Sequence, residues 1–323
     1  MGPKGGFISW LEKKHGYKPA HEYISTNHTL LVDAKALMHT LAYALPSELA
    51  GPELHQALAT SMLQKLQHFK QVALVNDGKI LPDHPKFQTT CKRREDRARR
   101  EDAFKKRKLE AEITQPDPFF TLVQPTKEDE GSVPTAAVWP DDAPGMKTME
   151  ENFERQARGL RDISRTDAAA VCELVFNQQD PARQSIRYIQ VIEGESDQQM
   201  MVMADEFDYV VSNDMDILVG GAKKLLYHFC APNQCVFSIT NVLRAVRVSH
   251  QQLREIVALS GNDWGDGIYG MGLVNADALI RKYGNYRNML EKWTYFERKK
   301  YKKLPPKEEL LAALDRSVNM YDV

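Results

Sequence analysis

Apolar residues along this chain follow two spacings, and the alternation between them lays out most of the elements. Short apolar runs of strand length occur at TLLVDA (29–34), KQVALVNDGK (70–79), RYIQVI (187–192), FDYVVS (207–212) and KKLLYHF (223–229). Helical spacing lies between and around them. It runs through GFISWLEKKHG (6–16), where Phe7, Ile8, Trp10 and Leu11 make an apolar face. It returns in KALMHTLAYAL, in a charged stretch from about 91 to 112, in 151–178 and in SDQQMMVMADE. Strands alternating with helices predict an α/β layer on a largely parallel sheet. After residue 250 the pattern becomes helix, Gly-rich turn, helix: QQLREIVALSGND, WGDGIYGMG, LVNADALIRKYG. PPKEELLAAL, within the tail 304–323, predicts one surface helix. Prolines interrupt 114–145 too often for a helix, so this stretch reads as a long loop or mobile lid. The chain therefore divides into 1–113, an insert at 114–150, a region 151–290 and a tail 291–323.

Charge changes this picture more than composition does. The 323 residues carry 43 Lys and Arg against 44 Asp and Glu, a net charge of −1. That balance hides segregation: 91–108 and 281–303 are basic, whereas 115–152 is acidic and proline-rich. A basic block is often only a solvated helix face, but two in a neutral chain suggest a polyanionic partner. No apolar run reaches membrane length and no secretory signal is evident, so a soluble intracellular protein without a membrane partner is expected. The four scattered cysteines read as free thiols in a reducing compartment, and the nine histidines show no zinc-ligand spacing.

Acidic residues gather where strands end. Asp33 closes the first strand and Asp77 the second; Glu193 and Glu195 follow RYIQVI, and Asp214 and Asp216 follow FDYVVS. Singly, each has an ordinary role: Asp33 can cap the next helix, Asp77 can form the Asp-Gly turn, and the glutamates can sit in a helix's first turn. Jointly they meet beyond the carboxyl ends of parallel strands, where ligands of such sheets bind. Extended backbone would point residues i and i+2 to one side, presenting E-G-E and D-M-D as pairs. Like charges so placed repel unless cations neutralise them, and oxygen-only donors favour Mg²⁺ or Mn²⁺.

The pieces MGPKGGF, LLVDA, LVNDGK, CKRREDR, EGESDQQ, SNDMDIL and SGNDWGDGIYGMG stand in this order over roughly residues 1–290. On these residues the chain resembles the flap endonuclease/XPG family of structure-specific 5′ nucleases, the last two pieces being the most specific. The resemblance implies a PIN-like nuclease fold with a helical arch and a helix–two-turn–helix region. It implies hydrolysis of DNA by two metal ions, Mg²⁺ or Mn²⁺, and adds Asp263 to the acidic set. Glu195, Asp214, Asp216 and Asp263 would lie nearest the metals, with Asp33, Asp77 and Glu193 ligating directly or through water. Lys92 and Arg93 match the family's positive pair at the scissile phosphate. Further DNA contacts are implied at Gly2, Lys86, Gly267, Gly270, Gly272 and Lys282, with a K⁺ ion at the hairpin. The implied partner is DNA with 5′ flaps, nicks or free 5′ ends, bound by a monomer. The nucleus is the implied compartment, with mitochondrion and cytoplasm left open.

Some positions depart from the family's pattern. His39 stands where an aromatic ring stacks on a base, and Lys35 follows the first Asp where a small polar residue is usual. The proline-rich insert falls in the arch, and the tail lacks a QxxLxxFF-type box, so no sliding-clamp partner is expected. Two other readings compete. MGPKGGFISWLEKKH is similar to the N-terminus of 5′→3′ exoribonucleases acting on RNA, although that family lacks the glycine hairpin. A non-catalytic nucleic-acid-binding scaffold would have lost carboxylates, and none is missing here.

Overall fold

The computed structural model describes residues 6–80, 87–114, 163–181, 184–294, 299, 301 and 304–321; within the helix over 87–114, side chains 88–90, 92–94, 97 and 111–114 lie outside this description. Two compact units divide the chain, one of Met1–Thr90 with Asp162–Val323 and one of Cys91–Arg161.

The first unit is built on a six-stranded sheet. Its strands are β1 (Thr29–Asp33), β2 (Gln71–Asn76), β3 (Ile186–Gln190), β4 (Tyr209–Val211), β5 (Lys224–Tyr227) and β6 (Cys235–Ser238), in the order β3-β2-β1-β4-β5-β6. All neighbours pair parallel except β5 and β6, which are antiparallel. The order reverses direction at β1, opening a crevice between the carboxyl ends of β1 and β4, where sheets of this kind bind ligands. The largely parallel α/β architecture predicted from the pattern is therefore present. The short strand β6 and the helix Ile239–Val246 behind it are additions, because four residues, CVFS, are too few to show a period.

Alternating side chains divide the sheet between two apolar layers. Leu31, Ala73, Val75 and Val210 face one core, and Leu30, Val32, Val72, Leu74, Tyr209 and Val211 face the other. The second core is closed by α2 (Ala34–Ala42), α3 (Gly51–Leu66) and α5 (Arg165–Gln178), which comes after α4 (Phe87–Thr114) in the chain. The first is closed by α1 (Phe7–His15), α6 (Ser196–Met203), α7 (Met215–Gly220), α8 (Ile239–Val246), α9 (His250–Ser260), α10 (Leu273–Tyr283), α11 (Tyr286–Lys292) and α12 (Lys307–Asn319). Burial on both faces is what makes the central strands continuous apolar runs.

Helix starts are set by polar caps. Asp33 accepts the Ala36 amide at 2.9 Å and so begins α2. Ser164 with Asp167, and Ser249 with Gln252, form reciprocal capping boxes on α5 and α9. Close approach requires glycine at position 78, where a Cβ would stand 2.8 Å from the Glu193 amide nitrogen. At that point the Asn-Asp-Gly-Lys exit of β2 is sutured to the exit of β3, with Gly78 N donating to Gly194 O at 2.9 Å and Lys79 N to Ile192 O at 3.1 Å.

The other unit is described through residues 91–114 of α4, a 28-residue helix. Exposed ion pairs one turn apart line it, Arg99 with Glu95 and Lys106 with Glu110. Lys92 and Arg93 take positions in its second turn, but their side chains lie outside the described residues. Gly2, Lys86 and residues 115–150 of the expected lid also lie outside them, while Thr114 closes α4.

The tail helix is more than a surface element. Leu310, Leu314 and Val318 of α12, with Tyr321 beyond its end, are buried in the first core. We predict that Leu314→Ala lowers unfolding free energy by about 2–5 kcal/mol, as truncation in a packed core does. Ala312→Gln on the exposed face should stay within about 0.5 kcal/mol of the parent. Urea unfolding of both variants checks this, and equal effects would place α12 outside the cooperative core.

Candidate metal centre

Three carboxylates come together beyond β4. Asp214, Asp216 and Asp263 are 8%, 0% and 6% exposed, and each offers an oxygen within 4.8 Å of the others. Asp214 and Asp216 do not converge by strand alternation. Asp214 is the cap of α7 and accepts the amide of Asp216 at 2.8 Å, which folds the second carboxylate back beside the first. Asp263 arrives from the turn after α9, where Asn262 N bonds Gly265 O at 3.0 Å.

A residue that sequence reasoning missed holds this cluster. The hydroxyl of Tyr321, 2% exposed, donates to Asp216 Oδ1 at 2.9 Å. It accepts in turn from Asn262 Nδ2 at 2.9 Å, and Asn262 Oδ1 receives the Trp264 amide and the Ser317 hydroxyl, both at 3.0 Å. Burial, then the charge of Asp216, pushes the Tyr321 phenol well above its usual range, so it stays a donor. Nothing in the pattern of the tail pointed to it.

A second group forms at the ends of β1 and β2. Asp33, half-buried, accepts Ser212 Oγ at 3.0 Å besides its capping bond, and that same hydroxyl oxygen accepts the Asp214 amide at 3.1 Å. Ser212 thus bridges the two acidic groups. Asp77 receives the Ser196 amide at 3.0 Å and its hydroxyl at 2.8 Å on one oxygen, while Lys35 Nζ stands 3.7 Å from the other. Burial, then the charges of Asp77 and Asp197, raises the Asp33 carboxyl to about 7.

That coupling brings in Asp197, which the sequence reading passed over. It lies in the first turn of α6 and is 7% exposed, whereas Glu195 is the half-buried cap of that helix. Glu193 is exposed and belongs to the backbone bridge with Lys79. Glu193 and Glu195 do not stand as an extended i, i+2 pair, because Gly194, at φ +89°, turns the chain out of the extended form. Half-buried Glu195 and buried Asp197 are two residues apart, but as cap and first turn of a helix.

The glycines of 265–272 have two different uses. A Cβ on Gly267, at φ +63°, would stand 2.4 Å from the Gly261 nitrogen, so Gly267 lets the turn pack on the end of α9. Gly270 and Gly272 face open space, beside Tyr269 at 68% exposure and ahead of α10. An open glycine turn leading into a helix N-terminus suits a phosphate backbone. Lys282 sits in the last turn of α10, its ammonium 4.8 Å from the centre of the Tyr283 ring.

The donor set fits a hard divalent ion. Three buried carboxylates offer oxygens within 4.8 Å of one another, and oxygen donors without thiolate or imidazole suit Mg²⁺ or Mn²⁺.

Comparison with known proteins agrees with this geometry. Residues 185–263 match the XPG I-region family, a span containing Glu195, Asp197, Asp214, Asp216 and Asp263. A flap endonuclease 1 of Methanosphaera stadtmanae is 31% identical over 112 residues, 33% of this chain and 34% of that protein. A flap endonuclease 1 of Glycine max is 36% identical over 87 residues, 25% and 23% of the two chains. The DNA repair protein RAD2 of Saccharomyces cerevisiae is 27% identical over 142 residues, 43% of this chain and 14% of its own length. The matched stretches thus span about a third or less of these relatives. In fold, the chain is similar to the catalytic core of Rad2 in complex with DNA substrate, with a TM-score of 0.54 over 97% of this chain and 84% of that one at 15% identity.

The raised Asp33 carboxyl sets a pH dependence. Its folded-state value of about 7 lies above that of an unfolded aspartate, about 3.9. The folded protein therefore binds its proton more tightly, and the resulting stability is full below about pH 4 and lost as pH rises through about 7. Melting the metal-free protein in EDTA from pH 4 to 8 should show this decline, and Asp33→Asn should flatten it. An unchanged slope in the variant would remove Asp33 from the account.

Proposed function

We propose that this chain, a relative of the flap endonuclease/XPG proteins through its XPG I-region, is a structure-specific 5′ nuclease that hydrolyses DNA phosphodiester bonds with divalent metal ions. The observation that carries the reading is the buried Asp214, Asp216 and Asp263 cluster lying wholly within the matched segment. In this reading the triad holds one ion, and Asp33, Asp77, Glu195 and Asp197 hold a second. Bound there, Mg²⁺ or Mn²⁺ supplies an activated water and neutralises charge on the attacked phosphate and leaving oxygen.

The chain's own residues do the rest. Ser212, Tyr321 and Ser196 each fix an acidic side chain through a hydroxyl, so the donors need little rearrangement on ion entry. Lys92 and Arg93 would neutralise the scissile phosphate as charge develops on it. Gly270 and Gly272, with the N-terminus of α10 behind them, would hold the duplex backbone, and a K⁺ ion would be held at this turn. Such a protein works where DNA is held, the nucleus first.

The direct test offers 5′-labelled flap, nicked and blunt DNA and single-stranded RNA, each with and without Mg²⁺. Cleavage of flap or nicked DNA only with Mg²⁺ supports the reading, and preference for RNA overturns it. Asp216→Ala should slow single-turnover cleavage by at least about a hundredfold, since metal activation is worth several kcal/mol. Binding of the same DNA in Ca²⁺ should remain nearly intact. Lys92→Ala should slow cleavage more than it weakens binding. Charge removal at 298–303 should do the reverse and lower the salt slope of binding by about 0.9 for each phosphate no longer neutralised.

A further inference from the structure

We propose that Lys35 is a resident cation of the acidic half-site at the ends of β1 and β2, and that the second metal ion enters that half only in competition with its ammonium. The inference rests on the metal-dependent reading above and concerns how unequal the two ion sites are.

The placement follows from local structure. Asp33 caps α2, which puts Lys35 at the second helical position, in the first turn. The parallel register sets Asp33 opposite Val75, so Asp77 lies two residues further along the neighbouring chain, within reach of the Lys35 stem. The ammonium stands 3.7 Å from Asp77 Oδ2, with the lysine side chain 36% exposed and the aspartate 21%. Asp77 Oδ1 is engaged twice by Ser196, and Asp33 has one oxygen on the Ala36 amide and the other on Ser212. All four oxygens of these two acids therefore already face a donor or a cation of the chain itself.

A carboxylate oxygen has two lone pairs, so these contacts weaken ligation without forbidding it. The Asp77 oxygen facing Lys35 is different, because there a divalent ion meets a positive charge. The ammonium is a compact charge on a flexible four-carbon stem, and partial exposure lets it swing into water when an ion takes its place. The triad of Asp214, Asp216 and Asp263 instead brings three carboxylate oxygens within 4.8 Å of one another, the denser donor set of the two. The first ion accordingly belongs to the triad, and the second is held back by Lys35.

The test is a Mn²⁺ titration of the full chain followed by electron paramagnetic resonance of the free ion. The wild type should take up one ion tightly and a second more weakly. Lys35→Met should tighten the second by roughly tenfold or more, because the ion then meets Asp77 without a competing positive charge, and leave the first within about twofold. Lys35→Arg, which keeps the charge, should hold the second ion weak. Melting in EDTA gives an independent readout, because Lys35→Met should lower the metal-free melting temperature and gain more from Mn²⁺ than the wild type does. An identical second constant in wild type and Lys35→Met overturns the inference. Asp216→Asn tests the underlying reading separately, since it should abolish the tighter ion. If that variant loses the ion while Lys35→Met changes nothing, only the inference falls. If Asp216→Asn binds both ions like the wild type, or neither protein binds Mn²⁺, the metal reading falls with it.

Discussion

Mutual repulsion among buried acids is the constraint around which this sheet edge is organised. Asp214, Asp216 and Asp263 lie almost without solvent, and Asp33 feels both Asp77 and Asp197. A low-dielectric setting magnifies each of these contacts, so the folded chain must offset them or hold protons. The local chemistry meets that demand piece by piece. Caps turn backbone amides toward Asp33 and Asp214, hydroxyls of Ser196, Ser212 and Tyr321 donate to neighbouring acids, and Lys35 brings a charge to Asp77. The strands beneath, apolar on both faces, give the rigidity that keeps such a cluster from relaxing apart. Stability held back at a site of this kind is a familiar trade against function.

How far the sequence foretells this depends on which physical signal each residue leaves. β1, β2 and β4 were legible because their buried apolar runs end at or within two residues of an Asp or Asn. Asp33, Asp77, Asp214 and Asp216 were legible for the same reason, as acids at strand ends. Asp263 sits in a turn after a helix and was reached only through the family's motif. At Glu193 and Glu195 an alternating pattern is blind to the positive φ of Gly194, and the buried acid of that segment is Asp197, in the first turn of α6. Tyr321 left no local signal, since its partner Asp216 is 105 residues away. β6 and α8 were lost to shortness, and Gly267 looked like a phosphate-binding glycine although its missing side chain serves packing against Gly261.

Lys35 shows how a departure from a motif gains meaning only in three dimensions. In the sequence it is an unexpected charge beside an acid that caps a helix. In the fold it crosses to the adjacent strand's acid, whose other oxygen Ser196 already occupies. The acidic edge is consequently two unequal halves joined by one hydroxyl, Ser212, which touches Asp33 with its hydrogen and the Asp214 amide with its oxygen.

The Tyr321 contact ties the fate of the tail to that of the acidic cluster. A helix near a chain end is ordinarily free to open on its own, and hydrogen exchange there reports that local event. Here opening α12 would strip a donor from Asp216 and free Asn262 and Ser317 at the same moment. By linkage, a cation that favours the closed arrangement must disfavour the open state at equilibrium to the same degree that closure favours the cation. Amide exchange in α12, far along the sequence from the strands, thereby becomes a gauge of cation occupancy at the edge of the sheet.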